Sequence, residues 1–342
     1  MPFQSFGKFL VYIAFVIVSV LVGPSISMAK ESLIVYSGRA ERLIKPVLDA
    51  FEAESGISIQ MLTADSTALV NRLNLEGSRT TADILLTNDA GALERARELH
   101  LLQAVDIPGI ETAIPSTFRA SDNSWIGLSG RIWVMVYNTT MVKPSEISSI
   151  LDLAQPKWKG KVAIPTAGSE YLQTGVSVIR EIKGEAMTKQ FLKGLKENAG
   201  TSVFGKNRQI VAAVARGEVA VGLVNHYYIS RHLAKHPDAP IAQLLPDQEK
   251  QGMGVVLNAA GVGITAQSKH LAQAKALVQF LISPKGQKMF ANSNKEYPLN
   301  TSVDADPGLR PLKSFQVAQV PLARLSELRD PTMTVIEHVG LR

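Results

Sequence analysis

The stretch SLIVYSGRAERLIKPVLDAFEAESGISIQM, residues 32–61, decides the fold class. It opens on a short apolar run, residues 32–36, that stops at Ser37-Gly38. Leu43, Val47, Leu48 and Phe51 then recur at three- and four-residue spacings, the period of one helix face, until Gly56 ends the pattern. Residues 57–61 read as the next strand. A strand–helix–strand succession favours a parallel sheet with helices on its faces. The unit recurs in kind as a helix over 66–76, a strand over 82–87 (ADILLT) and a helix over 90–99.

Further along, WIGLSGRIWVMVY (125–137) predicts two strands joined through Ser129-Gly130. PKWKGKVAIP (156–165) is a loop leading into a strand, AVGLVN (220–225) a buried strand, and 226–234 a helix. AAGVGIT (259–265) reads as a glycine-containing strand packed tightly between domains. An amphipathic helix over 270–282 follows, before Pro284. Ligand sites of open α/β sheets lie beyond the carboxyl ends of strands. That rule selects Ser37-Gly38-Arg39, Asn88-Asp89, Tyr137-Asn138 and residues 225–228.

Composition bounds the function. The 342 residues are 46% hydrophobic and 19% charged, the balance of a globular chain, and at roughly 150 residues per domain they suggest two domains. The net charge of +6 is scattered, with no basic run of five, so a nucleic-acid surface is not expected. Lys8, an apolar run over 9–22, Gly23-Pro24, and then Ser27 and Ala29 ahead of Lys30 form the pattern of a cleavable secretory leader over residues 1–29. The run is shorter than the ~20 residues of a membrane span, so a periplasmic protein is expected. With no cysteine there is no lipid-anchor site, no disulfide, and no thiol nucleophile or thiolate zinc site. His232 and His236 stand four apart without an H-E-x-x-H pattern, and solvated surface histidines are the plainer reading. No G-x-S-x-G, Walker A or dinucleotide glycine fingerprint occurs, and no enzyme is expected.

Asn225-His226-Tyr227-Tyr228 is the stretch with chemistry in it. Where a strand opens into a helix, successive side chains fan by about 100°, so two phenol oxygens can converge on one point. Phenolate is a hard oxygen donor suited to ferric iron, and a bound trivalent cation favours the deprotonated form. Tyr137, also after a strand, would be a third. From the pair alone, packing tyrosines with hydroxyls satisfied at the surface remain the commoner outcome.

Taken together, VYSGR and AFEAESGI, WIGLSGR and VYN, PKWKGKVAIPTAG, FLKGLKEN and GEVAVGLVNHYY resemble, in order and spacing, the ferric-iron-binding proteins of bacterial ABC importers, from about residue 33 to 298. The resemblance implies a two-lobed α/β periplasmic-binding-protein fold (type II), each lobe a mixed sheet flanked by helices, with the ligand cleft between them. Residues 30–130 plus 260–304 would form lobe one and 131–259 plus 305–342 lobe two, closing by hinge motion at crossovers near Arg131 and Asn258. It implies a monomer that captures Fe3+ and delivers it to an inner-membrane ABC permease. The carried-over metal ligands are Tyr137, Tyr227 and Tyr228. Where many members have a histidine and a glutamate, this chain has Ala40 and Asn88. Glu41, Asp89 or water is left to replace them, and an anion such as carbonate to complete the shell. Arg39 and Arg131 would hold that anion, since a guanidinium can grip an oxyanion in bidentate fashion. The loop at Gly168 and Ser169, together with Asn207 and Asn225, matches anion-holding positions of some relatives. The alternative is the same fold with another solute: an organic anion, a phosphonate or a thiamine-like molecule.

Overall fold

The computed structural model describes residues 32–341, so the expected leader lies outside the described residues. The opening unit forms as its pattern predicts. β1 (Ser32–Ser37) leads into α1 (Glu41–Ser55), which buries Leu43, Ile44, Val47, Leu48 and Phe51. Gly56 takes the left-handed conformation and its N–H closes onto the Glu52 carbonyl, ending the helix. β2 (Ser58–Thr63) pairs parallel to β1. α2 (Ser66–Glu76) is capped by Asp65, whose carboxylate accepts from the Thr67 and Ala68 amides. β3 (Ile84–Thr87) pairs parallel to β1 on its other side, and α3 (Ala90–Glu98) follows with Asp89 as its cap.

After the short α4 (Ile110–Ala113), β4 (Trp125–Asn138) runs 14 residues, every one buried. Two strands were expected here. The observed single strand takes up the irregularity as a register shift between Gly127 and Ser129, because an antiparallel partner pairs with it on both sides of the shift. The second half of the chain supplies β5 (Val162–Pro165), α5 (Glu170–Ala199), β6 (Val203–Phe204), α6 (Asn207–Ala215), β7 (Val221–Asn225), α7 (His226–Leu233) and β8 (Ile241–Leu244). The partner strand β9 (Val256–Ile264) follows, then α8 (Leu271–Ile282), α9 (Pro284–Asn292), β10 (Tyr297–Pro298) and the terminal α10 (Leu325–Val339).

The strand order β2-β1-β3-β9-β4-β7-β5-β6, with β8 and β10 added to β4, divides about the β9–β4 pair. Parallel strands lie outward on both sides, and the two long antiparallel strands join them. Arg131 and Asn258 are register partners within that pair. At Gly261 an added Cβ would lie 2.6 Å from the Ile126 carbonyl oxygen and 2.8 Å from Leu93, so the close packing read from AAGVGIT is present. α5 is two helical rods broken at Gly184 (φ 81°, ψ 166°), where the chain needs a residue without Cβ. α10 packs on α5 and α3, with Ser177 donating to Thr332 at 3.1 Å between buried positions.

A buried ion pair fixes the loop after β1 to the segment before β10. Arg39 and Glu296 are each about 1% exposed and 3.1 Å apart. Arg39 also donates to the Phe290 carbonyl and the Ser293 hydroxyl and lies over the Phe290 ring. Burial would push the Glu296 carboxyl up, but Arg39 and Arg131 bring it below the usual range. Glu296→Gln strands the buried Arg39 charge and is expected to cost about 3–5 kcal/mol of stability by denaturant unfolding.

Candidate functional site

Three helices begin immediately beyond strands on one face: α5 after β5, α6 after β6 and α7 after β7. Their first turns line a cleft of about 1020 Å³ that includes Gly168, Ser169, Glu170, Tyr171, Asn207 and Tyr228. Tyr227 and Tyr228 open α7, with ring centroids 4.5 Å apart and planes inclined at 34°. The Tyr227 hydroxyl donates to the Tyr171 hydroxyl at 3.4 Å, and Asn225 Nδ2 reaches Tyr227 at 3.4 Å. Three phenols therefore meet here: Tyr171 from the first turn of α5 and Tyr228 from that of α7 line the cleft, and the buried Tyr227 lies against both.

Tyr137 is not among them. It pairs with Val221 at the start of β7, whereas Trp133 pairs with Asn225 at its end. Four residues at about 3.3 Å each put it roughly 13 Å along the sheet from the tyrosine pair. The expectation failed because β4 runs antiparallel to β7, so following one strand and following the other lead to opposite ends of the sheet. Tyr171 is the third phenol found beside the pair. Its signal in the sequence was a tyrosine one residue into the helix after the Gly168 loop.

Arg39 is likewise unavailable to an anion, since its guanidinium is taken up by Glu296, Phe290 and Ser293. Arg131 differs. It is 2% exposed, its Nε and Nη2 have no hydrogen-bond partner, and its guanidinium lies 5.5 Å from the Tyr171 ring centroid. Burial alone would depress its pKa, but Tyr171, Glu296, Tyr227 and Asp89 more than reverse this, so it stays charged. Asn207 is buried and accepts from the Asn225 amide at 3.1 Å. Gly168 and Ser169 line the cleft, although the Ser169 N–H closes a turn onto Thr166 and so is not offered outward. At the positions that opened the first-lobe question, Asn88 is committed to the Gly38 carbonyl and Asp89 to the start of α3.

Sequence reasoning also missed Arg231. Its guanidinium carbon lies 5.2 Å from the Tyr227 centroid and 5.9 Å from that of Tyr228, as three- and four-residue helix spacing brings about. His226, fully buried, has Nδ1 3.3 Å from the Ile132 N–H and Nε2 2.8 Å from the Lys295 carbonyl. It is therefore a neutral imidazole with the proton on Nε2, and burial brings its pKa down to about 4. His232 and His236 line the cleft with rings 4.8 Å apart.

Burial raises the pKa of all three phenols, assisted at Tyr227 by Tyr171 and at Tyr228 by Tyr227, and Arg131 opposes it at each. Among the described residues no group of three or more His, Asp or Glu side chains is arranged to hold a metal. A hard cation entering this cleft meets phenol oxygens.

With fold and cleft in hand, the comparisons decide the family. A family model for bacterial extracellular solute-binding proteins matches residues 47–313. The chain belongs to that family. This solute-binding protein is 30% identical over 317 residues to Iron uptake protein A1 of Synechocystis, covering 91% of this chain and 88% of that one. It is also 30% identical to the Fe(3+)-binding periplasmic protein of Serratia marcescens, covering 89% of each. Among solved structures, a Trichodesmium protein in complex with iron and citrate ligands superposes with TM-score 0.83 at 29% identity, over 91% of this chain and 100% of that one. The ferric binding protein of Campylobacter jejuni gives 0.84 at 28%, with the same coverage. The two-lobed α/β architecture expected from the sequence is thereby established. So is the expectation of a periplasmic carrier without catalytic activity.

Glu170, at the cleft, has its pKa raised to about 7, first by burial and then by Asp89 and Asp65. Between about pH 4.5 and 7 the folded protein holds a proton there that the unfolded chain has released, so stability falls as pH rises through that window. This contribution is on the order of 2–3 kcal/mol. Glu170→Gln is expected to remove it, seen as a smaller loss of urea stability between pH 5 and 7.5 than in the wild type.

Proposed function

We propose that this solute-binding protein captures ferric iron through the phenolates of Tyr171, Tyr227 and Tyr228 and delivers it, as a monomer, to an ABC permease. The observation that carries the reading is the mutual contact of three phenols, two of them lining the cleft, near the buried Arg131 guanidinium with its two unpartnered nitrogens. Three phenolates balance a trivalent charge, and hard oxygen donors favour Fe3+ over softer ions. Arg131 would hold a small anion, carbonate among the candidates, in the coordination positions that phenols leave open. The printed names of the relatives, iron uptake and ferric binding, agree with this cargo.

Residues 30–130 plus 260–304 would move as lobe one and 131–259 plus 305–342 as lobe two, bending where Arg131 faces Asn258. Closure over the ion would offer the permease its recognised shape, and reprotonation of the phenols or loss of the anion would favour release. The raised phenol pKa values have a consequence for loading. Each phenol is neutral before the metal arrives and must lose its proton to bind, so metal affinity rises with pH, by up to about three decades per unit while all three are protonated.

Ferric titration is expected to produce a visible phenolate-to-iron absorption band. Tyr171→Phe, Tyr227→Phe and Tyr228→Phe should each weaken the band and lower affinity by more than the roughly 10–100-fold typical of losing a supporting contact. Tyr137→Phe should leave both unchanged. A full-strength band in any of the first three would remove that residue from the shell, and a protein that stays colourless would point to another solute.

A further inference from the structure

The histidines of this chain are used in different ways. His226 has both ring nitrogens bonded to backbone, and His270 holds the buried Asp83 at 3.0 Å. His232 and His236 instead lie side by side, with ring centroids 4.8 Å apart and planes inclined at 41°. None of their four ring nitrogens has a protein partner among the described residues. The backbone builds this meeting. α7 ends at Leu233, but the Lys235 and His236 amides both donate to the His232 carbonyl, at 3.0 and 2.9 Å, so a helical turn carries on to residue 236. Four-residue spacing then brings the two imidazoles together on one side of the helix. Tyr228 stands one turn before His232, about 6 Å back along the axis. His232 is half-buried and His236 exposed, so the pair leads outward from the phenols to solvent.

The separation suits a shared ion. A metal–nitrogen bond of about 2.0–2.1 Å puts a metal about 3.2 Å from each ring centroid. Centroids 4.8 Å apart then subtend about 100° at the ion, the angle of two adjacent ligands in tetrahedral or tetragonal geometry. The donor set also selects the ion. No third His, Asp or Glu stands with the pair among the described residues, and the charged neighbours along the helix, Arg231 and Lys235, are cations. A hard cation such as Mg2+ or Ca2+ needs oxygen ligands and finds none. Neutral imidazole is a borderline donor that suits Cu2+ most strongly, then Ni2+ and Zn2+, through bonds that do not require a negative charge.

We propose that His232 and His236 chelate one borderline divalent cation of the Cu2+ and Zn2+ class, with water in the remaining positions, as a second metal site separate from the phenols. The inference goes beyond the ferric reading and does not depend on it, since donor type at the pair, and not the cargo of the tyrosines, selects the ion. Neither ring is oriented by a carboxylate or carbonyl, as in the tightest sites, so the ion it holds exchanges readily. The histidine spacing that read as ordinary surface in the sequence thereby gives the carrier a capacity for imidazole-seeking ions at the outer end of the tyrosine helix.

The test uses the iron-free mature chain without an affinity tag, titrated with copper(II) chloride in a non-coordinating buffer. Binding is followed by isothermal calorimetry and electron paramagnetic resonance. One equivalent of copper is expected to bind, with splitting from two imidazole nitrogens in its spectrum, and a large excess of Mg2+ should not displace it. His232→Gln and His236→Gln should each weaken binding by about tenfold or more. Tyr228→Phe should bind copper as the wild type does. His236 is exposed, so His236→Gln should melt with the wild type, and it carries the test even if His232→Gln lowers stability. Unchanged copper affinity in His236→Gln, or a spectrum with fewer than two coordinated nitrogens, overturns the proposal. Loss of copper binding in Tyr228→Phe overturns it equally, because it puts the ion at the phenols. The ferric absorption band, recorded separately, judges the iron reading whichever way copper falls.

Discussion

The pairing of β4 with β9 is the constraint on which the remaining structure depends. These two strands are the ones shared by both sets of parallel strands, and they carry Arg131 and Asn258 opposite each other in the ladder. Because both strands are buried on both faces, their backbone polar groups have no water to turn to and the ladder must stay intact. A residue placed mid-ladder is therefore held in a fixed direction. That is how a guanidinium with two unpartnered nitrogens can be kept beside three phenols without collapsing onto a nearby carboxylate.

The cost of that arrangement is shared with the tyrosines. Burial alone penalises the Arg131 charge, and burial also keeps the phenols protonated, while the Arg131 charge pulls each phenol the other way. A site of this type is poised: phenols that ionise gain a cation already in position. Had the third phenol been Tyr137, at the far end of the β7 ladder, Arg131 would have had no such relation to it.

How much could be read beforehand follows from what periodicity encodes. The helix at residues 66–76 and the strand–helix junction at Asn225–His226 were legible because hydrophobic spacing and strand length fix them locally. The continuity of β4 through Ser129-Gly130 was not, because a Ser-Gly pair looks like a turn until a partner strand is known to pair on both sides. Tyr227 and Tyr228 were legible as a pair through their place at a helix start. Tyr171 and Tyr137 were interchanged because which end of a strand faces the cleft depends on chain direction in the sheet, and sequence carries no such sign. Arg39 and Arg131 differ for a similar reason: only the position of Glu296, 257 residues away, shows that Arg39 is spoken for.

His226 has a mechanical role that follows from its two hydrogen bonds. As the first residue of α7 it is stitched at one ring nitrogen to the Ile132 amide and at the other to the Lys295 carbonyl, while its ring meets Tyr297 at 5.0 Å and Tyr227 edge-on at 5.6 Å. The helix bearing the tyrosine pair is thus pinned at its root to two separate strands of backbone. Both rings therefore project from a root that the imidazole moors, and α7 cannot swivel there without breaking one of those two bonds.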